Sequence, residues 1–419
     1  MQPLPGFRDF LPEPCALRNY IFATWRDVAR GYGFLEWDGP LLEPTELYQK
    51  KSGPEIVGQL FNFTDKGERE VAMRPELTPT LARVVAAHHR DFKKPLKWFA
   101  IPQCFRYEKQ QRGRLREHYQ LNCDIVGETS PEADTELIAL AIDLLRAFGF
   151  SAADVVVRIS DREFWIDFLR ARSVPEETWP EVLGIIDKSE REPREKTAQK
   201  LGDLAEPVLA ILENGGTSEK LEHVMSGLRA RGLEDFAKVD VRIVRGLAYY
   251  TGIVFEVFDR SGKFRAIAGG GRYDNLLAQL SDSAVSLPAL GFAMGDVVLG
   301  ELMSESVAAQ AKMRGSLADI SALEIFVVIA KEERRSDALA LVQTLRESGA
   351  RVDFSLTAAK VGKQFQTAGQ LGARLALVVG DEWPGVAVKQ LETGAQEIVA
   401  REDLLAHIRP LLTLSPRRP

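Results

Sequence analysis

Cysteine and histidine are scarce in this 419-residue chain, and the scarcity removes several chemistries at once. The three cysteines, Cys15, Cys104 and Cys123, form no CxxC pair, so a structural zinc site of that kind is not expected. Odd in number and scattered, they fit reduced structural thiols, and nothing beside them in sequence would lower a thiol pKa for catalysis. The five histidines (His88, His89, His118, His223, His407) show no HExxH spacing, which argues against a zinc hydrolase; no protein metal site is expected. No apolar run approaches the ~20 residues of a membrane span. The amino terminus, MQPLPGFRDFLPEP, has charges and prolines where a secretory signal needs an apolar stretch. The expectation is a soluble, cytoplasmic protein with no membrane partner.

Charge of either sign is not in large excess. Lys plus Arg is 54 against 60 for Asp plus Glu, a net of −6, which excludes a protein that coats nucleic acid by bulk positive charge. It leaves room for a local basic surface, because binding responds to the distribution of charge. Hydrophobic residues make up 45% and charged residues 27%, the range of ordinary globular chains and not of disordered ones. At roughly 150 residues per domain, the length allows two to four domains.

The early chain predicts mixed, non-alternating elements. Leu17, Ile21, Trp25 and Val28 form a helix stripe over 14–31. An extended segment over 34–42 leads into a helix start at Pro44-Thr45-Glu46. Short strands are expected at 61–64 and 70–73 around Asp65-Lys66-Gly67, a helix at 78–87 and one strand over 95–107. Such an order argues for α+β with a mainly antiparallel sheet. Residues 161–235 are rich in Glu, Lys, Arg and Leu with helical spacing, and strand-like sequence resumes at 239–244 and 253–258, so the block reads as a helical insertion. After a small, polar linker or connecting helix at 305–322, strands and helices alternate through IFVVIA, 336–347, ARVDFSL, 361–371 and ARLALVVG, a small α/β unit.

Four clusters carry chemistry. The segment 89–118 holds nine Lys or Arg against three Asp or Glu, a net of +6. Within it Arg106 and Glu108 alternate on an expected strand, so both face one side, and the loop 109–116 turning at Gly113 is a basic projection suited to phosphates. A solvated charged hairpin would explain that segment equally well by itself. The stretch VRGLAYYTG (244–252) joins an arginine to paired tyrosines between glycines, as at a ligand or as a packed strand edge. Gly269-Gly270-Gly271 is costly inside a strand and permits backbone close to a ligand or helix; no GK[ST] or GxGxxG accompanies it. Finally, Met73-Arg74-Pro75-Glu76-Leu77-Thr78 sets a carboxylate and a hydroxyl at a strand-to-helix junction, where an N-cap is the simpler account.

In this order the clusters resemble the histidyl-tRNA synthetase family, class II aminoacyl-tRNA synthetases, over almost the whole chain. LPGFRDFLPEP resembles the family's opening segment and GPLLEPTELYQKKSG its motif 1, with Pro40 at the characteristic proline. FRYEKQQRGRLREHYQLNCDIVG resembles motif 2, VRGLAYYTGIVFE and AGGGRYD the two histidine motifs, and LGFAMGDVVL stands at motif 3. Residues 323–407 resemble the class IIa anticodon-binding domain. The resemblance implies a catalytic core at 1–160 and 236–304, a helical insertion at 161–235, a linker at 305–322, an anticodon-binding domain at 323–419 and a homodimer. It implies activation of histidine by ATP, with Mg²⁺, and transfer to tRNA(His).

By similarity, Arg106 and Arg245 are the catalytic residues, gripping the α-phosphate from opposite sides. Arg106, Glu108, Arg114, Tyr119 and Arg272 form the ATP set, Glu108 for the adenine amino group and Tyr119 for ring stacking. Glu76, Thr78, Gln120, Asp124, Tyr249 and Tyr250 form the histidine set, and Lys109, Gln111 and Arg112 meet the tRNA acceptor end. Four features depart from the family pattern, the first being the motif 2 loop, which reads Lys-Gln-Gln rather than the more usual Arg-Pro-Gln. Val298 stands at the motif 3 arginine, leaving Arg114, Arg116 or Arg272 to cover the γ-phosphate. Ala248 replaces a usual aspartate, and Asp124 a usual glutamate. Two non-aminoacylating relatives share the resemblance: the regulatory subunit of ATP phosphoribosyltransferase, which generally lacks the insertion and the carboxy-terminal domain, and an RNA-binding paralogue.

Overall fold

The computed structural model describes residues 2–52, 54–109, 113–244, 249–281, 285–321 and 323–412. The chain divides into two compact units, Met1–Met313 and Arg314–Pro419. Among the described residues no helix is long and apolar enough to cross a membrane.

The first helix follows its apolar stripe. It runs Pro12–Gly31 and buries Tyr20, Ile21, Trp25 and Ala29. It starts two residues before the expected Pro14, because a proline in the first turn gives up an N–H that has no helical partner anyway.

A nine-stranded sheet forms the base of the first unit. Its order is Leu35–Glu36, Leu96–Ala100, Glu117–Val126, Ala289–Gly295, Ala268–Arg272, Ile253–Asp259, Val155–Asp161 and Ala237–Val239, with Gln103–Phe105 paired to Glu117–Val126 off this path. The interior pairs are antiparallel, and the two outermost pairs are parallel. The mainly antiparallel α+β core is as expected. The single strand anticipated over 95–107 is two strands, broken at Ile101-Pro102, since proline supplies no ladder N–H. The strand anticipated at 239–244 ends at Val239, where the Asp240 carboxylate accepts from the Arg242 backbone N–H (3.2 Å) and guanidinium and turns the chain. Arg106 and Glu108 lie beyond the Gln103–Phe105 strand, in irregular chain.

The glycine triplet is a packing device inside the Ala268–Arg272 strand. A Cβ on Gly270 would fall 2.2 Å from the Gly291 carbonyl oxygen, and one on Gly271 would fall 2.6 Å from that of Ile253. Neighbouring strands close up against backbone there, so the ligand-approach explanation fails for these two positions.

Helices Arg162–Ala171, Trp179–Lys188, Arg194–Leu201, Ala205–Asn214 and Glu219–Ala230 separate the Val155–Asp161 and Ala237–Val239 strands. The first is capped by Asp161, whose carboxylate accepts from the Glu163 N–H at 3.0 Å. Trp165, Leu169, Val182, Leu183, Ile186, Leu201 and Val208 make a separate core, closed by Val241 and Val244. The last helix leaves this body. Gly227 packs on Thr135 of the Pro131–Ala147 helix, where a Cβ would meet the methyl at 2.7 Å, and His223 pairs with Glu132 at 2.8 Å. The helical body so bounded ends near Asn214. The segment expected as a linker forms the helix Val307–Ser321.

The second unit has a five-stranded sheet ordered Val352–Phe354, Ile325–Ile329, Leu375–Val379, Gly385–Gln390 and Gln396–Ala400. The first three are parallel and joined through the helices Arg335–Glu347 and Val361–Gln370, as the alternating pattern predicts. The closing antiparallel hairpin was not anticipated; the alternating Val386 and Val388, both buried, were its signal.

The strand packing gives the first expectation. Gly270→Ala should lower the urea midpoint of the first unit by the equivalent of ~1–3 kcal/mol or abolish folding, because the added methyl meets backbone. Gly184→Ala, in a helix with open space at its Cβ, should leave the midpoint unchanged or slightly raised.

Candidate active site

A cavity of about 980 Å³ opens on one face of the large sheet. Strand alternation decides what enters it. Along Glu117–Val126, His118, Gln120, Asn122 and Asp124 line the cavity, and the intervening side chains turn away. Ala293 and Gly295 on the next strand, Glu256 and Phe258 further on, and Arg158 beyond them complete the floor.

One end presents a carboxylate among phenols. Asp124 is buried and accepts a hydrogen bond from the Tyr273 hydroxyl. Gly291 makes room for it: a Cβ there would lie 2.0 Å from Asp124 Oδ1. Tyr249 and Tyr250 stand beside the pair with ring centroids 4.5 Å apart, and Tyr249 meets Tyr273 edge-on at 6.1 Å. Burial, reinforced by Asp124, raises the Tyr273 phenol well above its ordinary range, so it stays a donor. Glu76, Thr78 and Gln120 line the same cavity. This end can hold a small cationic or N–H-bearing group.

The other end is rich in arginine. Arg106 Nε donates to the Pro75 carbonyl at 3.0 Å, and Arg114 pairs with Glu108 at 2.7 Å. Arg158 pairs with Asp240 at 2.8 Å and with Glu190 at 2.9 Å. Burial works against the Asp240 carboxylate, but Arg242 and Arg158 outweigh it and hold its pKa below the usual range. Burial, then the positive Arg106, Arg8 and Arg114, drive His118 down to about 3, so its ring is neutral. The arrangement suits a polyanion with an attached ring.

Among the expected site residues, Arg106, Glu108, Arg114, Glu76, Thr78, Gln120, Asp124, Tyr249 and Tyr250 come together at this cavity. Lys109 is exposed, while Gln111, Arg112 and Arg245 lie outside the described residues, as does Ala248. Two expectations are corrected. Tyr119 occupies an odd position of its strand and packs on Phe22 (4.9 Å) and Phe10 (6.2 Å), and His118 lines the cavity in its place. Arg272 is consumed by a buried pair with Asp134 (2.5 Å) and by the carbonyls of Glu128 (2.8 Å) and Ser130 (3.1 Å), and it does not line the cavity. Arg116 is likewise occupied, with Nε donating to the Glu108 carbonyl at 3.3 Å and its guanidinium 4.3 Å from the Tyr107 ring centroid. Val298 does line the wall, against Gly113, whose φ of +71° makes the expected turn.

Sequence reasoning passed over His118, Asn122, Tyr273, Arg191 and Arg265. Counting by twos from Asp124 finds the first two. Asn122 Oδ1 is buried with no hydrogen-bond partner among the described residues. Tyr273 stands in the AGGGRYD stretch, but its partner Asp124 is 149 residues away and spacing gave no hint of the pair. Among the described residues no cluster of three or more His, Cys, Asp or Glu side chains could hold a metal ion.

Comparison with known proteins agrees with this geometry. The family model described as histidyl-tRNA synthetase matches residues 6–297, and that of the anticodon binding domain matches 324–411. A histidine–tRNA ligase of Opitutus terrae is 44% identical over 97% of this chain and 98% of its own length. The chloroplastic/mitochondrial histidine–tRNA ligase of Arabidopsis thaliana is 40% identical, covering 96% of this chain and 86% of its own. In fold, the crystal structure of histidyl-tRNA synthetase from Nostoc sp. PCC 7120 superposes with a TM-score of 0.78 at 24% identity, over 98% of this chain and 99% of that one.

Two consequences are measurable. The unfolded chain protonates His118 near 6.5 and the folded chain only near 3, so the unfolded state binds the extra proton between them and stability falls as pH drops through that window. His118→Phe should therefore lose less stability than the parent between pH 6.5 and 3.5 in paired thermal melts. Arg272→Ala should cost ~3–5 kcal/mol in urea denaturation by stranding Asp134.

Proposed function

The chain belongs to the histidyl-tRNA synthetase family, and from that premise we propose how its cavity carries out the family's reaction. The protein acts as an ATP-dependent histidine–tRNA ligase. Histidine and ATP give histidyl-adenylate and pyrophosphate, and the histidyl group then passes to the 3′ end of tRNA(His). The observation that carries the assignment of roles is the polarity of the cavity, with Asp124 and Tyr273 at one end and arginines at the other.

The histidine carboxylate is itself the nucleophile on the α-phosphorus, so alignment and charge neutralisation carry the rate. Arg106 holds the α-phosphate from the motif 2 side and Arg245 from the other; arginine suits both, as a fork that stays charged and makes two parallel bonds. Glu108 receives the adenine amino group and His118 stacks on the ring. Glu76, Thr78 and Gln120 hold the α-ammonium. Asp124 accepts an imidazole N–H, with Tyr273 fixing the carboxylate's orientation and Tyr249 and Tyr250 closing the site. An analogue without ring nitrogens leaves these buried groups unpaired, which can reject it by ~10⁴ or more.

Glu256 on the cavity floor would supply a carboxylate to the Mg²⁺ that accompanies a triphosphate, and the ion would neutralise charge on the pyrophosphate leaving group. Lys109, Gln111 and Arg112 meet the tRNA acceptor end, and the second unit reads the anticodon. A homodimer through motif 1 is supported by Leu41, Leu42 and Phe63, large apolar side chains left exposed on or beside the small sheet of Leu42–Pro44, Asn62–Thr64 and Glu70–Met73. A reducing cytoplasm fits Cys104, fully buried and pushed up to about 12 by that burial, an inert thiol.

Histidine-dependent ATP–pyrophosphate exchange by the pure protein tests the reading, and absence of exchange would sink it. Arg245→Ala should abolish exchange with circular dichroism unchanged. Tyr273→Phe should raise KM for histidine by roughly 10-fold while leaving KM for ATP alone. Unchanged exchange in Arg245→Ala means the roles are misassigned.

A further inference from the structure

The cavity's arginines are not equivalent. Arg114 is paired with Glu108, and Arg158 and Arg242 share Asp240 and Glu190. Arg106 donates to the Pro75 carbonyl beside Glu76. Arg265 and Arg191 have no acidic partner within ion-pair distance among the described residues, although both line the cavity. They come from separate parts of the first unit. Arg265 is on the connection between the Ile253–Asp259 and Ala268–Arg272 strands, and Arg191 ends the Ser189–Arg191 turn of the helical insertion.

Both side chains are exposed, and like charges gather around Arg265. Burial, then the like charges of Arg114 and Arg191, oppose the charge on Arg265, with only Glu108 favouring it. Such a group of cations in one cavity is relieved by an anion. The wall beside them is apolar: Val297 and Val298 line the cavity from the start of the Asp296–Glu305 helix, and a Cβ on Gly113 would lie 3.2 Å from Val298 and 4.0 Å from Arg265 Cδ. Arg265 thus supplies positive charge beside a stretch of wall that offers none.

We propose that Arg265 and Arg191 together bind the β- and γ-phosphates of ATP, so that the helical insertion contributes directly to the nucleotide site. The proposal rests on the ligase reading for the identity of the nucleotide. A triphosphate carries enough negative charge to engage two forks at once, whereas AMP, with its single phosphate held at Arg106, does not reach them.

The test separates ATP from AMP. Arg265→Ala, Arg191→Ala and the double variant are titrated with ATP and with AMP by calorimetry, alongside steady-state exchange. ATP affinity should fall roughly 10- to 100-fold in each single variant, with AMP affinity and KM for histidine within about 2-fold of the parent. Arg265→Lys should recover part of the loss, having charge without the fork. Arg265 is exposed on irregular chain, so its substitution has no core to disturb. Unchanged ATP affinity, or equal losses for ATP and AMP, overturns the proposal. So does a defect confined to tRNA charging, which would assign the pair to RNA phosphates. Absence of exchange in the parent would refute the ligase reading, while the ATP and AMP titrations would still decide the arginine pair.

Discussion

One guanidinium ties together the segments that make the cavity. Arg8 Nη2 donates to Glu117 at 3.0 Å and its Nη1 to Asp296 at 2.9 Å, and both carboxylates are almost wholly buried. Glu117 opens the strand that carries His118, Gln120, Asn122 and Asp124, and Asp296 opens the helix whose first turn presents Val297 and Val298. Asp296 also accepts the Tyr119 backbone N–H at 2.9 Å, and Gly6 O takes the N–H groups of Arg116 and Glu117. Burial raises the Asp296 carboxyl above its usual range, with Arg8 pulling against it. Two buried carboxylates this close depend on the shared cation, since a buried charge without its partner costs several kcal/mol.

From that anchor, precision passes across the sheet through backbone contacts rather than side-chain packing. Gly270 and Gly271 bring their neighbours within contact of bare backbone, and Gly291 yields the space that Asp124 fills. The Asp124 carboxylate is thereby placed by the sheet itself and held by the Tyr273 hydroxyl. The arginine end draws on loops and the helical insertion as well as the sheet, and ion pairs with Asp240 and Glu190 hold Arg158 and Arg242.

Much of this was legible in the chain. Alternating segments gave the antiparallel core and the α/β unit, and the order of the clusters pointed to the family that the comparisons bear out. What was misjudged has a common cause. Tyr119 and Arg272 were assigned by motif position, yet each faces away from the cavity because neighbours distant in sequence claim it: Phe22 for the tyrosine, Asp134 for the arginine. The helix Glu219–Ala230 looks like the insertion in composition but docks on the core helix through Gly227.

Residue types and their spacing are local properties, so the sequence by itself determined the element types, the class of reaction and the basic stretch at 89–118, whose net of +6 is hidden in a total of −6. Which arginines are spent in ion pairs and which remain for a ligand depends on partners up to 138 residues away, as between Arg272 and Asp134. Only the tertiary structure could decide that, because an ion pair is settled by distance in space and by burial, neither of which spacing along the chain records.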